Sequence, residues 1–256
     1  MAGPPNPIKR HPLIAFFVLA YAVAWGFVPF GSFGAFGPLV AALIVIPLSR
    51  GRAGLREWAA RLIRWRVRWY WYAVALGVPL AVHLATAGLT VAAGGTAGPL
   101  TFSSVTTFLL VFALRLVNPT DGPLGEEPGW RGFALPGLQA HYSPLLSTAI
   151  LAFLVTGWHL PLFFLEDGGL QPPVLVGGLV TTVAVTFWYA WLFNRTAGSV
   201  LLVLIAHSVE GSIQAQRWIY MGVWCAVALF LLVADRTAWR RPTPVPQDAL
   251  ILERSR

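Results

Sequence analysis

The residues able to do chemistry fall in three short stretches. Glu126 and Glu127 stand side by side with Arg131 four residues on, His159 lies in Trp158-His159-Leu160-Pro161, and His207 lies in His207-Ser208-Val209-Glu210. One carboxylate and two imidazoles are the donors that hold a divalent metal, zinc above all, with one coordination position left for water. The same groups can deprotonate a water with no metal. In the metal reading the ligands are His159, His207 and Glu126. The usual soluble signature, two histidines one helical turn apart with a glutamate beside the first, does not occur in the sequence. A site made of these residues therefore has to be assembled across helices.

The glutamate pair divides by geometry. Glu127 and Arg131 share a face if the segment is helical, since side chains four apart are neighbours. Glu126 is turned about 100° away from Glu127 and is left for chemistry, while Glu127 is structural. Pro128 is comfortable only in a first helical turn and pushes the residue before it toward extended geometry. The helix is therefore expected to begin at or just before Pro128. Both carboxylates then lie at a helix N-terminus, where the dipole and free N–H groups favour the charged form, whereas burial opposes it. The competing reading makes the pair a water-facing loop after the turn Asn118-Pro119-Thr120-Asp121-Gly122-Pro123. His159 can equally be a satisfied polar residue beside the kink at Pro161, and His207 can bond a neighbouring carbonyl.

The elements that must position these residues are membrane spans. Hydrophobic residues make up 57% of the chain and charged ones 11%, and the mean hydropathy is +0.67. This is the composition of an all-α, polytopic transmembrane bundle. In such a chain an ionisable residue is a functional-site hypothesis from the outset. The net charge of +8 is spread over short segments between apolar runs, the positive-inside pattern, and not over a soluble nucleic-acid-binding domain. The single Cys225 excludes a disulfide framework and a cysteine metal site.

About eight spans are expected, at 13–28, 36–48, 69–93, 102–117, 143–165, 172–193, 199–210 and 218–233. The 1–12 and 236–256 segments read as polar tails, and 13–235 as one transmembrane domain whose chemical core is about 118–215. The stretch 49–68 carries seven arginines, with Leu55, Trp58, Ala59 and Leu62 at helical spacing. It reads as an amphipathic helix lying on the cytoplasmic leaflet. His83, inside the third span, reads as a residue bonded to a neighbouring helix, and Arg115 as one that snorkels to headgroups. Arginine-bearing segments at 9–10, 50–68, 115–131, 195 and 236–241 all fall on one side, which predicts cytoplasmic termini in a multi-pass protein of the cell membrane.

Glu126-Glu127-x-x-x-Arg131 with Gly132-Phe133 and Leu135-Pro136 resembles the first motif of the CAAX-protease and bacteriocin-processing (CPBP, Abi) family. Trp158-His159-Leu160-Pro161 resembles its second motif, and Thr196-Ala197-Gly198-Ser199-Val200 leading to His207 resembles its third. The resemblance covers about residues 120 to 211. It implies an all-α intramembrane endopeptidase in which Glu126 is the catalytic base, Glu127 and Arg131 are supporting, and His159 and His207 complete the site, with or without a metal. Membrane lipids and a peptide or lipid-modified protein substrate are the implied partners; nucleic acid is not. One position departs from the motif. An Asn or Asp often stands four residues after the third-motif histidine, and here that residue is Gly211. Ser208, Glu210 and Gln214 are the nearby polar residues able to substitute. Gly211 also keeps open a catalytically inactive binding or immunity protein. An ion-coupled transporter is a third reading, opposed by the lack of internal repeats.

Overall fold

A computed structural model describes residues 7–96, 105–165, 172–211 and 217–240. The acidic turn at 166–169, Gln214, the end of the Gly/Ala loop at 97–101 and the tail beyond residue 240 lie outside the described residues.

All regular structure among the described residues is helical. The elements are α1 (Pro7–Arg10), α2 (Pro12–Trp25), α3 (Gly37–Leu62), α4 (Tyr70–Ala92), α5 (Val105–Val117) and α6 (Pro123–Gly129). They continue with α7 (Leu135–Gln139), α8 (Pro144–Trp158), α9 (Leu162–Leu165), α10 (Pro172–Arg195), α11 (Val200–Glu210) and α12 (Arg217–Ala234). Five stretches are long and apolar enough to cross a bilayer, and α5, α11 and 218–234 are shorter apolar helices. Five and three agree with the bundle of about eight spans.

Local chemistry sets several boundaries. Pro12, Pro38, Pro123 and Pro144 occupy the first turns of their helices, where a missing N–H costs nothing. Ser143 and Ser199 cap α8 and α11, each hydroxyl oxygen accepting a backbone N–H at 3.3 Å. The Ser199 hydroxyl also donates to the Arg64 carbonyl at 2.7 Å. This contact and the Arg195–Asp235 ion pair gather the basic segments near 64, 195 and 235 at one end of the bundle.

Three expectations are corrected. The 49–68 stretch is not a separate helix on a leaflet. It continues α3 through a break at Gly51 (φ 61°, ψ −156°), and its apolar stripe packs on protein. Trp58 is buried and its Nε1–H donates to the Pro128 carbonyl at 2.8 Å. The polar tail does not start at 236. A 3-10 turn at Arg236–Trp239 folds back, with the Trp239 indole donating to the Leu231 carbonyl at 3.0 Å. Arg115 and Arg131 are not free charges at the interface: Arg131 is buried against Glu127, and Arg115, largely buried, pairs with the half-exposed Asp121.

The site is framed by α3 on α6, α11 on α4 and α6, and α10 on α8. Tryptophans from the motifs themselves form much of the packing. Trp130 meets Phe16 edge-on at 5.5 Å and Trp158 at 5.5 Å, and the Trp158 indole donates to the Ala20 carbonyl at 3.2 Å. The first two motifs are thereby keyed to α2 by ring packing and an indole hydrogen bond.

Candidate active site

Glu126 and Glu127 lie inside α6, which begins five residues earlier than Pro128 predicts. Pro123 takes the first helical position and Pro128 sits within the helix. Close packing overrides the local preference of Pro128. A β-carbon at Gly125 would lie 2.2 Å from the Pro119 carbonyl oxygen, and one at Gly129 would lie 2.4 Å from that of Pro38. The helix thus rests its glycine face directly on backbone, as small residues permit between membrane helices. The distortion expected from an internal proline is taken up just downstream, where Trp130–Ala134 widens into a π-helix. The pair is no water-facing loop, for Glu126 is 6% exposed and Glu127 fully buried.

The two carboxylates face different partners. Arg131 Nη1 donates to Glu127 Oε1 at 3.0 Å, the pairing that their spacing predicts. His207 Nδ1 donates to the same oxygen at 2.8 Å. Glu127 is therefore more than a strut for α6, because it also fixes which nitrogen of His207 carries the proton and turns Nε2 toward Glu126. Tyr189 stacks on the His207 ring at 5.1 Å, and the Arg131 guanidinium lies over the Tyr189 ring at 5.0 Å.

Glu126 lies between the histidines. Its Oε2 is 3.8 Å from His159 Nε2, too long for a direct hydrogen bond and suited to a bridging water. His159 Nδ1 donates to the Val155 carbonyl at 2.8 Å, so Nε2 is the ring nitrogen that faces the carboxylate. Glu126 Oε1 points the other way, to within 3.4 Å of the β-carbon position of Gly122, which His207 Nε2 approaches at 3.8 Å. The structure brings Glu126, Glu127, Arg131, His159 and His207 together from α6, the following π-turn, the end of α8 and α11.

A cavity of about 110 Å³ opens on this group, lined by Glu126, His159, Thr182, Tyr189, His207 and Glu210 among others. Glu210, one of the substitutes for a residue at 211, reaches this wall and accepts from the Tyr220 hydroxyl at 2.6 Å. Ser208 is buried in α11 and is not among the lining residues described. His83 donates to the Glu210 carbonyl at 3.1 Å, the neighbouring-helix bond expected of it.

Sequence reasoning missed Tyr189 and the threonines of α10, which sit in an apolar run with no motif of their own. The Tyr189 hydroxyl is buried without a partner among the described residues and belongs to the cavity wall. Reading α10 as a wall of the site needs the fold.

The donor types and the outer bonds on both Nδ1 atoms suit a metal in kind. As placed, however, no three His, Cys, Asp or Glu side chains among the described residues form a group that could hold one. The chemistry below is therefore written on the side chains alone.

Residues 106–213 match the family model of Rce1-like type II CAAX prenyl endopeptidases. The matched range contains all three motifs and the whole side-chain cluster. Over these residues the chain is similar to the CAAX-protease (CPBP) family. The CAAX prenyl protease 2 of Methanococcus maripaludis is similar to this chain, at 27% identity over 156 residues, covering 53% of each sequence. The chain thus spans about half the length of this curated relative. Within the matched range the first-motif glutamates, the second-motif histidine and the third-motif histidine are the residues that the fold draws together.

Proposed function

We propose that this protein is a membrane-embedded endopeptidase that hydrolyses a peptide bond of a membrane-associated substrate, with Glu126 as the base. The observation that carries the reading is Glu126, nearly buried at the cavity wall, with one carboxylate oxygen facing His159 Nε2 at 3.8 Å. A water between them gives its proton to Glu126 while its oxygen bonds to the scissile carbonyl carbon. Glu126 then passes that proton to the departing nitrogen as the C–N bond breaks, the usual exchange of base and acid roles. His159 holds the water through the lone pair on Nε2, since its Nδ1–H is committed to Val155. His207, its Nδ1–H given to Glu127, keeps the lone pair of Nε2 on the side of Glu126 Oε1, where it accepts from a water. Arg131 pairs with Glu127 at 3.0 Å and holds it in place.

A CAAX-type substrate, with a lipid-modified cysteine near its C-terminus, is the class that the family match supports, and the basic segments support a cytoplasmic opening. The test is cleavage of lipid-anchored and unmodified peptides by the purified protein in nanodiscs, with metal content measured on the same samples. Wild type is expected to cleave and Glu126→Gln to be inactive yet folded. Cleavage by Glu126→Gln would remove this mechanism. Peptide binding without cleavage by the wild type would favour the inactive binding protein that Gly211 leaves open.

A further inference from the structure

We propose that Arg115 is a further catalytic group, the cation that receives the negative charge on the scissile carbonyl oxygen; this rests on the peptidase reading of the same site. Arg115 comes from α5, a helix that carries none of the three motifs. Asp121 holds it, accepting from Nη1 at 2.9 Å, and its Nε is buried without a partner among the described residues. The other end of the guanidinium is the informative one. A β-carbon at Gly122 would lie 3.4 Å from Glu126 Oε1, 3.5 Å from Arg115 Nη2 and 3.8 Å from His207 Nε2. The base, an imidazole and a cation therefore surround the bare face of one glycine, whose φ of +68° also disfavours any side chain there.

Gly211 makes the placement possible. A β-carbon there would meet Arg115 Nη2 at 2.2 Å and Cζ at 2.7 Å. The guanidinium stands where a side chain at 211 would begin. Glycine at the end of α11 and arginine on α5 are thus a matched pair. The donor missing four residues after His207 is supplied from another helix. A role in stability alone explains this poorly. Asp121 is 47% exposed, and such pairs contribute little. Nor does holding the 118–122 turn require a guanidinium pressed against α11.

The chemistry balances around it. When the water oxygen bonds to the carbonyl carbon and its proton moves to Glu126, the carbonyl π pair moves onto oxygen. Arg115 Nη2 then meets that oxyanion as a charged donor. As the C–N bond breaks, the pair returns to the carbonyl and Arg115 is unchanged.

The test is steady-state cleavage by the full chain in nanodiscs, with thermal melting of each variant. Arg115→Ala is expected to lower kcat by about 10²–10³ with KM nearly unchanged. Gly211→Asn is expected to lower it too, because its side chain displaces the guanidinium. The double variant Arg115→Ala/Gly211→Asn should exceed Arg115→Ala by about tenfold or more, because an amide donor then takes the vacated room. Added guanidinium ion should raise kcat of Arg115→Ala and leave Glu126→Gln inactive. If Arg115→Ala keeps kcat within about threefold of wild type while Glu126→Gln is dead, this inference falls and the peptidase reading stands. The inference falls equally if Arg115→Ala is inactive but neither the double variant nor guanidinium restores anything, which is the behaviour of a structural residue. Wild type that cleaves none of the probes overturns both.

Discussion

Glu127→Ala is the substitution that most directly tests how the site is held. Glu127 Oε1 accepts from Arg131 Nη1 at 3.0 Å and from His207 Nδ1 at 2.8 Å. Glu127 is fully buried and Arg131 is 2% exposed. Two charge-assisted hydrogen bonds are worth about 1.5–3 kcal/mol each. Seen from the other side, stranding one partner of a buried pair costs about 3–5 kcal/mol. These describe one loss and are not added, so the expected destabilisation is about 3–5 kcal/mol. The Tyr189 ring beneath Arg131 softens it by about 1–2 kcal/mol at most. Domains are stable by only about 5–15 kcal/mol, so the variant should fold in reduced yield. Removing the stranded cation as well, in Glu127→Ala/Arg131→Met, should give a milder loss than Glu127→Ala alone. The assay is a double-mutant cycle by denaturant-induced unfolding in micelles. A single variant within about 0.5 kcal/mol of wild type, or losses that simply add in the double variant, would refute the reasoning. Activity gives a separate check. Glu127→Gln keeps an acceptor for His207 Nδ1–H, so its kcat should fall by about 10–100-fold, far less than that of Glu126→Gln.

Gly129→Ala places a β-carbon 2.4 Å from a backbone oxygen that cannot swing aside, and should destabilise by about 1–3 kcal/mol or more. Gly77→Ala, with nothing within 4 Å of the new atom, should raise the melting temperature or leave it unchanged. Trp58→Phe removes the donor to the Pro128 carbonyl while keeping an aromatic ring, and should cost about 1 kcal/mol in the same unfolding assay. Asp235, at the end of α12, is held down to about 2 chiefly by its hydrogen bonds from Arg195, against a smaller opposing effect of burial. A carboxyl whose folded value is depressed contributes stability above its unfolded value of about 3.9, lost as pH falls. The gap in melting temperature between wild type and Asp235→Asn should be constant from about pH 7 to 5, shrink below about pH 4, and close near about pH 2. It should be small throughout, corresponding to about 0–1 kcal/mol for a partly exposed pair.

What can be read from the chain, and what cannot, follows from which interactions are local. The Glu127–Arg131 pair is legible because a four-residue spacing implies a contact within one helix. The hydrogen bond from His207 to Glu127 joins residues eighty apart, and no periodicity encodes it; only the three motifs taken together hint that the helices meet. The start of α6 is ambiguous in the sequence because Pro123 and Pro128 are both acceptable first-turn prolines. What decides between them is the fit of Gly125 and Gly129 against the start of α3, a tertiary fact. Arg115 looks like a headgroup anchor because its partner Asp121 is six residues away across a turn, outside helical spacing.

The basic stretch after Ser49 makes the general point. An apolar stripe at helical spacing says that a helix has something to cover, but not whether lipid or protein covers it. The Trp58 stripe of α3 is covered by the very helix that carries Glu126, and the indole reaches the carbonyl of Pro128, two residues from Glu126. That hydrogen bond ties α3 to α6 at a buried carbonyl. The exposed arginines of α3 can therefore set topology while the inner face of the same helix steadies the helix that carries Glu126. A substitution that weakens the docking at Trp58 should reach Glu126 without touching any charged residue of the site.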